Sequence, residues 1–245
     1  MLNVPPVVTL TIAVMALVHA VRAFVLTPRG DLEFLLLFSF IPARYSDPTC
    51  LVQSGVPDGW GAQIWTFVTY GLIHGDLTHL GLNAVWLLAF GSAVARRFGA
   101  ARFLAFSAVT AAAGAVAHLA THPGDCWPMV GASAAISGFM AAAIRFVFQA
   151  GGPLGLLGGS GGAGYAIPAA PLLVTLRDPR VIVFLAVWFG LNILFGLISL
   201  PLIDDQQSVA WQAHIGGFVA GLVLFPLFDP VARLRPSDDA GRARH

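Results

Sequence analysis

Ser133 and His214 are the residues of this sequence best suited to act as a nucleophile and its general base. Ser133 lies in VGASAAISGFM (130–140), an apolar stretch of small residues, and His214 lies in WQAHIGGFVAG (211–221). A serine hydroxyl is a weak nucleophile until an adjacent base accepts its proton, and histidine is the most common such base. Without a base beside it, Ser133 is simply a small residue that lets helices pack closely.

His79 and Asn83 are candidate hydrogen-bond donors to a negatively charged oxygen. They lie four residues apart in THLGLNAVW (78–86), so a helix presents both on one face. Donors aimed at a developing oxyanion lower the barrier to acyl transfer. The alternative for His79 is an ordinary interfacial or hydrogen-bonded histidine.

A metal-dependent mechanism has little support in the sequence. His118 and His122 have the spacing of metal ligands, but the chain has no His-Glu-x-x-His motif and its single glutamate, Glu33, lies in the first loop. We therefore expect no metal and no cofactor.

The elements that must position these residues are membrane helices. Hydrophobic residues make up 57% of the chain, charged residues 10%, and the mean hydropathy is +0.80, whereas a soluble domain has roughly 25% charged residues. Apolar stretches long enough to cross a bilayer of roughly 30 Å predict an all-α membrane protein with six spans. These spans cover about 4–26, 77–97, 101–121, 131–150, 181–203 and 208–228.

The distribution of arginine predicts the orientation, because cytoplasmic loops carry an excess of positive charge. All thirteen cationic residues are arginine. They concentrate between spans 2 and 3, between spans 4 and 5, and in the tail, so we expect both termini to be cytoplasmic. Spans 2, 4 and 6 then run inward and bring Ser133, His214, His79 and Asn83 to a similar depth near the outer side. The net charge of +1 gives no indication of nucleic-acid binding.

This layout divides the chain into one membrane domain, residues 1–228, and a polar cytoplasmic tail, residues 229–245. The long outer loop 27–76 contains LEFLLLFSF (32–40), which is too short to span and is predicted to lie in the interface. The loop 151–179 begins with a glycine-rich stretch, 151–166, which predicts a flexible cytoplasmic segment.

Two further features concern the surroundings of the site. Gly217 and Gly221 form a G-x-x-x-G pattern that would let span 6 approach span 4 until His214 reaches Ser133, with Gly131 just ahead of the serine. The only two cysteines, Cys50 and Cys126, both fall in predicted outer loops. The sequence leaves open whether they form a disulfide or remain free thiols.

Three segments, in this order and in the right spans, make the chain resemble the rhomboid intramembrane serine proteases. HLGLNAVWLLAFG (79–91) is similar to the family's His-x-x-x-Asn segment, GASAAISG (131–138) to its G-x-S-x motif, and AHIGGFVAG (213–221) to its Ala-His-x-x-Gly-x-x-x-Gly segment. The resemblance implies a rhomboid-like bundle of six transmembrane helices. It assigns Ser133 as nucleophile, His214 as base, and His79 and Asn83 as oxyanion donors, and His74 matches a histidine of the first loop.

The chain departs from the family pattern at three positions. Ala134 follows the serine where glycine is frequent, Ser137 stands where a tyrosine commonly packs on the histidine, and the loop's Trp-Arg pair reads Trp65-Thr66. None of these changes removes a reacting group.

The resemblance implies an endopeptidase that cuts transmembrane segments of membrane proteins near the outer face by a Ser-His dyad. Its partners would be those substrates and the lipid bilayer. The protein would cross a cell membrane several times, and we expect this membrane to be a bacterial inner membrane. The alternative is a rhomboid-like pseudoprotease that binds or escorts membrane proteins without cutting them. A transporter is disfavoured because no Asp or Glu falls clearly within a predicted span.

Overall fold

A computed structural model describes residues 4–53, 61–155, 162–198 and 210–231, and this part of the chain is built of helices. The α-helices are α1 (Pro6–Phe24), α2 (Pro28–Phe38), α3 (Thr49–Gln53), α4 (Ala62–Thr69), α5 (Leu77–Trp86), α6 (Ser92–Phe98), α7 (Ala100–Thr121), α8 (Ser133–Ile144), α9 (Leu172–Thr175), α10 (Pro179–Ile198) and α11 (Trp211–Phe228). A π-helical turn, Leu87–Gly91, joins α5 to α6, and short 3-10 turns cover Pro42–Tyr45, Tyr70–Leu72 and Gly162–Tyr165.

Among the described residues, four helices are long and apolar enough to cross a membrane, which indicates a multi-pass membrane protein. They are Pro6–Phe24, Leu77–Phe98, Ala100–Thr121 and Trp211–Phe228, and they correspond to predicted spans 1, 2, 3 and 6. The helix in the place of span 4, Ser133–Ile144, is apolar but shorter, and α10 (Pro179–Ile198) lies in the place of span 5 with an apolar stretch over Pro179–Leu194. The tail beyond residue 231, the predicted connection between spans 5 and 6 (204–207) and the adjoining ends of those two spans lie outside the described residues.

The predicted fourth span, 131–150, was wrong in its extent. The helix covers only Ser133–Ile144, although the apolar sequence continues. The guanidinium of Arg145, the next residue, donates a hydrogen bond to the carbonyl of Ala170 at 3.0 Å. Further along, Gly151 has a positive φ of 76°. The helix thus ends earlier than hydropathy alone would suggest, in a tighter turn where the N–H groups of Arg145 and Phe146 donate to the carbonyls of Ala142 and Ala143.

Helix α8 forms the centre of the bundle. Every residue from Ala134 to Ile144 is buried, because α7 and α11 pack closely against it. A Cβ added at Gly217 would lie 2.0 Å from the carbonyl oxygen of Ala134, and one added at Gly221 would lie 2.5 Å from that of Gly138. Only glycine allows α11 to rest directly on the backbone of α8.

The first loop is fastened to the segment that leads into α8. Phe40 and Met129 exchange two backbone hydrogen bonds of 3.1 and 2.8 Å, and the N–H of Gly131 donates to the carbonyl of Tyr70 at 3.0 Å. The buried hydroxyl of Tyr70 donates to the carbonyl of Ala111 in α7 at 2.9 Å. The backbone just before Ser133 is therefore held from both sides.

Cys50 and Cys126 form a disulfide, which resolves the question that the sequence left open. The bond joins α3 in the first loop to the same segment that precedes α8, across a sequence separation of 76. It adds a covalent connection to the hydrogen bonds made nearby by Phe40 and Met129.

Arg97 organises the opposite end of the bundle. Its guanidinium makes two 2.8 Å hydrogen bonds to Asp229 and donates to the carbonyls of Tyr165 and Ile167 at 3.0 and 2.9 Å. The side chain of Arg97 is fully buried and that of Asp229 is 8% exposed. The end of the glycine-rich stretch, predicted to be flexible, is thus anchored to α6 and to the chain that follows α11.

Replacing Arg97 by alanine is expected to lower the free energy of unfolding by about 3–5 kcal/mol, because Asp229 would be left buried without its partner. The neighbouring Arg96 is exposed and lies over the Tyr165 ring, so Arg96→Ala is a matched control with a much smaller effect. Thermal unfolding in detergent measures both variants. Equal losses would contradict the role assigned to the Arg97–Asp229 pair.

Replacing Cys50 by serine is expected to remove about 2–4 kcal/mol of stability, since the disulfide restricts the unfolded chain. The same bond predicts that neither thiol reacts with an alkylating reagent before reduction and that both react afterwards. Mass measurement of the intact protein provides the test. Two alkylated cysteines in unreduced protein would show that the bond is absent.

Candidate active site

Ser133 and His214 are in direct hydrogen-bonding contact. The distance between Ser133 Oγ and His214 Nε2 is 2.8 Å. Ser133 is the first residue of α8, and His214 lies in the first turn of α11. The glycine contacts described above explain the short distance, because Gly217 meets the carbonyl of Ala134, the residue after the serine. Both residues are intermediate in burial.

The second nitrogen of the histidine ring binds a residue that the sequence reasoning missed. His214 Nδ1 lies 2.7 Å from Oδ1 of Asn192 in α10. Asn192 is 7% exposed, and its Nδ2 donates to the carbonyl of Trp188 at 2.8 Å. A signal was present in the sequence: Asn192 is an amide inside the apolar run VIVFLAVWFGLNILFG (181–196), and polar groups in membrane helices usually have a function.

His79 lies near Ser133, and Gly131 separates the two side chains. Gly131 has a φ of 117°, and a Cβ added there would meet His79 Nε2 at 2.6 Å and Ser133 Oγ at 3.8 Å. The imidazole of His79 and the hydroxyl of Ser133 therefore face the same small space. A side chain at residue 131 would fill that space and strain the backbone.

Asn83 lies one turn further along α5 and is buried. Its Nδ2 donates to the carbonyl of His79 at 2.9 Å, which leaves the second hydrogen of the amide for another acceptor. Asp76 caps the start of α5 by accepting a hydrogen bond from the N–H of His79 at 2.8 Å. This hydrogen bond is the main reason that the pKa of Asp76 is lowered. The cap fixes the orientation of the helix that carries both candidate donors.

The first turn of α8 supplies further donors at Ser133. The preceding residue, Ala132, has no side chain that could cap the helix, and no side-chain cap is formed there within the described part of the chain. The first N–H groups of a helix lack intrahelical partners and carry partial positive charge. The start of α8 is therefore suited to hold a negatively charged oxygen at the serine.

His74, in the first loop, lies next to His79. Its ring is fully buried, 5.0 Å from the ring of His79. Burial, and then repulsion by the neighbouring His79, lowers the pKa of His74 to about 3, so its imidazole is neutral at physiological pH. The carbonyl of His74 accepts a 2.9 Å hydrogen bond from Arg22, which also pairs with Asp31.

The three departures from the family pattern have ordinary local partners. The hydroxyl of Ser137 donates to the carbonyl of Ser133 at 2.8 Å, one turn back in α8. Ala134 is buried in the contact with α11. Thr66 donates to the carbonyl of Ala62 at 2.6 Å and lies 3.0 Å from the hydroxyl of Tyr45.

His118 and His122, which have metal-ligand spacing in the sequence, do not belong to this site. Their rings stack with centroids 4.7 Å apart, and His122 Nδ1 lies 2.9 Å from the hydroxyl of Thr121. Within the described ranges, no group of three His, Cys, Asp or Glu residues is arranged to hold a metal ion.

Comparison with known proteins identifies the family of this chain. The family model described as Rhomboid domain matches residues 61–229, and the chain belongs to the rhomboid family. A relative from Bacillus subtilis (strain 168), named "Putative rhomboid protease YdcA", is 34% identical over 108 residues. That alignment covers 42% of this chain and 52% of the relative, so the chain matches about half the length of that protein. Members of the family are generally serine intramembrane proteases.

Replacing Gly217 by alanine is expected to separate α8 from α11, because the new Cβ would lie 2.0 Å from the carbonyl of Ala134. A displacement of about 1 Å between reacting groups can reduce a rate about 100-fold. We expect a loss of that size in the cleavage of a single-span membrane substrate, together with a lower unfolding temperature.

The matched control is Gly81→Ala in α5, where no described atom lies within 4 Å of the added Cβ. This variant should keep both stability and activity. If Gly217→Ala behaved like Gly81→Ala, the close contact would not be what brings the serine and the histidine together.

Proposed function

We propose that this protein is an intramembrane serine endopeptidase in which Ser133 is the nucleophile and His214 the general base. The observation that carries the proposal is the 2.8 Å hydrogen bond between Ser133 Oγ and His214 Nε2. Family membership supports it, since rhomboid proteins are generally serine intramembrane proteases.

The reaction begins when Ser133 Oγ attacks the carbonyl carbon of the scissile peptide bond. His214 Nε2 accepts the hydroxyl proton as the new C–O bond forms. The imidazolium then gives this proton to the leaving amine, the C–N bond breaks, and an acyl-enzyme remains on Ser133. A water molecule, deprotonated by His214, hydrolyses the ester and regenerates the serine.

The tetrahedral intermediates carry a negative charge on the former carbonyl oxygen. The N–H groups at the start of α8 and the side chains of His79 and Asn83 are the proposed donors to this oxyanion. Hydrogen bonds of this kind are strong where water is scarce, and the loss of one donor typically costs about 2.7–4 kcal/mol of transition-state stabilisation.

The length of α8 supports a site below the membrane surface. The helix has 12 residues, a length of about 18 Å, which is much less than a bilayer core of roughly 30 Å. A helix with one end at a membrane surface would thus place the other end within the hydrocarbon region. With the orientation that the arginines predict, Ser133 lies below the outer surface, in a multi-pass protein of a bacterial inner membrane.

The substrates are proposed to be membrane proteins cut near the outer end of a transmembrane segment. A peptide bond must leave its helix before a serine can attack it. Segments with glycine, proline or other weak helix formers unwind at the lowest cost and should be preferred.

Ser133→Ala and His214→Ala are each expected to abolish cleavage of a single-span substrate while the protein stays folded. Ser133→Ala removes one oxygen and creates almost no cavity, and His214→Ala leaves the Gly217 contact intact. Because the two residues act as a unit, the double variant should be little worse than either single variant. The assay is cleavage by purified protein in liposomes, with thermal unfolding as the folding control.

Wild-type cleavage rates in a folded Ser133→Ala preparation would rule out the serine mechanism. A wild-type protein that binds the substrate and leaves it uncut would instead favour the non-catalytic alternative, a rhomboid-like pseudoprotease or escort factor.

A further inference from the structure

We propose that Asn192 is the positioning residue for His214, fixing the ring and the tautomer in which it can accept a proton from Ser133. The inference rests on the proposed function, to which it adds a third residue. Its basis is a chain of three side chains from α8, α11 and α10. Ser133 Oγ lies 2.8 Å from His214 Nε2, and His214 Nδ1 lies 2.7 Å from Asn192 Oδ1.

The chemistry of the partners determines the direction of each hydrogen bond. The carbonyl of Trp188 can only accept, so the amide nitrogen of Asn192 faces it and donates at 2.8 Å. The amide oxygen therefore faces His214, and because this oxygen can only accept, the hydrogen of the neutral imidazole must be on Nδ1. Nε2 is left with its lone pair towards Ser133, as a general base requires.

The hydrogen bond between His214 and Asn192 also stabilises the state that follows proton transfer. Once Nε2 holds the serine proton, the ring is an imidazolium with hydrogens on both nitrogens. The Nδ1–H still donates to Asn192 Oδ1, and the amide dipole directs its negative end at the cation. An aliphatic side chain of similar size would leave Nδ1–H without an acceptor in a buried setting.

Asn192 is itself held in place. Its amide nitrogen is bonded to the residue one turn back in α10, and that residue, Trp188, stacks on Phe218 of α11 with ring centroids 4.5 Å apart. Phe218 and His214 are one turn apart on α11. The aromatic stack and the Asn192–His214 bond therefore join the same two helices at successive turns, so the amide has a defined position relative to the imidazole.

Within α8, Ser133 is the residue that hydrogen-bonds to the His214 ring in the described part of the chain. The sequence has Ser137 where the family commonly places a tyrosine against the histidine, and this hydroxyl is bonded to the carbonyl of Ser133. In the described part of the chain, Asn192 and Ser133 are the side chains that hydrogen-bond to His214. Asn192 thus supplies from α10 an orienting contact that α8 does not provide.

The test compares wild type with Asn192→Leu, which keeps the approximate size of the side chain and removes the acceptor, and with Asn192→Asp, which retains an oxygen acceptor. Leu191→Ala on the exposed face of α10 is the control. We expect Asn192→Leu to lower kcat by about five- to tenfold, the effect of one neutral hydrogen bond, with little change in KM. Asn192→Asp should recover most of this loss, and Leu191→Ala should match wild type.

Nitrogen-15 NMR of histidine-labelled protein at alkaline pH reports the tautomer without reference to activity. The signals of His214 are assigned from their absence in His214→Ala. We expect a protonated Nδ1 in wild type and a mixture of tautomers in Asn192→Leu. Suppose that the wild-type enzyme cleaves its substrate and that Asn192→Leu has the same kcat and the same tautomer. This result would overturn the role of Asn192 and leave the proposed function standing.

A wild-type protein that does not cleave would overturn the proposed function. In that case the NMR comparison would still decide whether Asn192 holds the ring, because it does not depend on turnover. Suppose instead that Asn192→Leu and Asn192→Asp lose unfolding temperature and kcat to the same extent, with the tautomer unchanged in both. That result would show that Asn192 serves only in packing.

Discussion

The contact between the glycines of α11 and the backbone of α8 is the constraint on which the site depends. Gly217 and Gly221 bring the two helices so close that a single Cβ at either position would collide with a carbonyl oxygen of α8. Dispersion forces between closely packed helices replace the hydrophobic effect in a membrane, where lipid tails are as apolar as leucine. The separation set by this packing is what allows a short histidine side chain to reach the serine on the next helix.

The remaining parts of the site are fixed by hydrogen bonds and one disulfide outside this helix pair. The first loop is tied to the segment before Ser133 by the Phe40–Met129 bridge, the Gly131–Tyr70 hydrogen bond and the Cys50–Cys126 disulfide. Asp76 orients the helix that carries His79. The hydrogen bonds among these contacts satisfy backbone groups, so the loops and helix ends hold in place a site whose central distance is set by the packing of α11 on α8.

Much of this arrangement could be predicted from the sequence because the relevant signals are local. Apolar length indicates membrane helices, and four-residue spacings indicate which side chains share a helix face. The end of α8 could not be predicted, since the apolar sequence continues beyond Ile144 and the contact of Arg145 with the distant carbonyl of Ala170 is not visible in the sequence. The pairing of Cys50 with Cys126 and the contact of Asn192 with His214 depend in the same way on distances between separate elements, which a single sequence does not contain.

The most direct test of the central claim, that His214 activates Ser133, is the mass of the protein after reaction with a serine-directed phosphonate. An activated serine displaces the leaving group of the reagent and gains a stable adduct, whereas an ordinary buried serine does not react. We expect one adduct on the wild-type chain, located at Ser133 by peptide mapping, and none on His214→Ala or Ser133→Ala. An unmodified wild-type protein, or equal labelling of wild type and His214→Ala, would contradict the activation of Ser133 by His214.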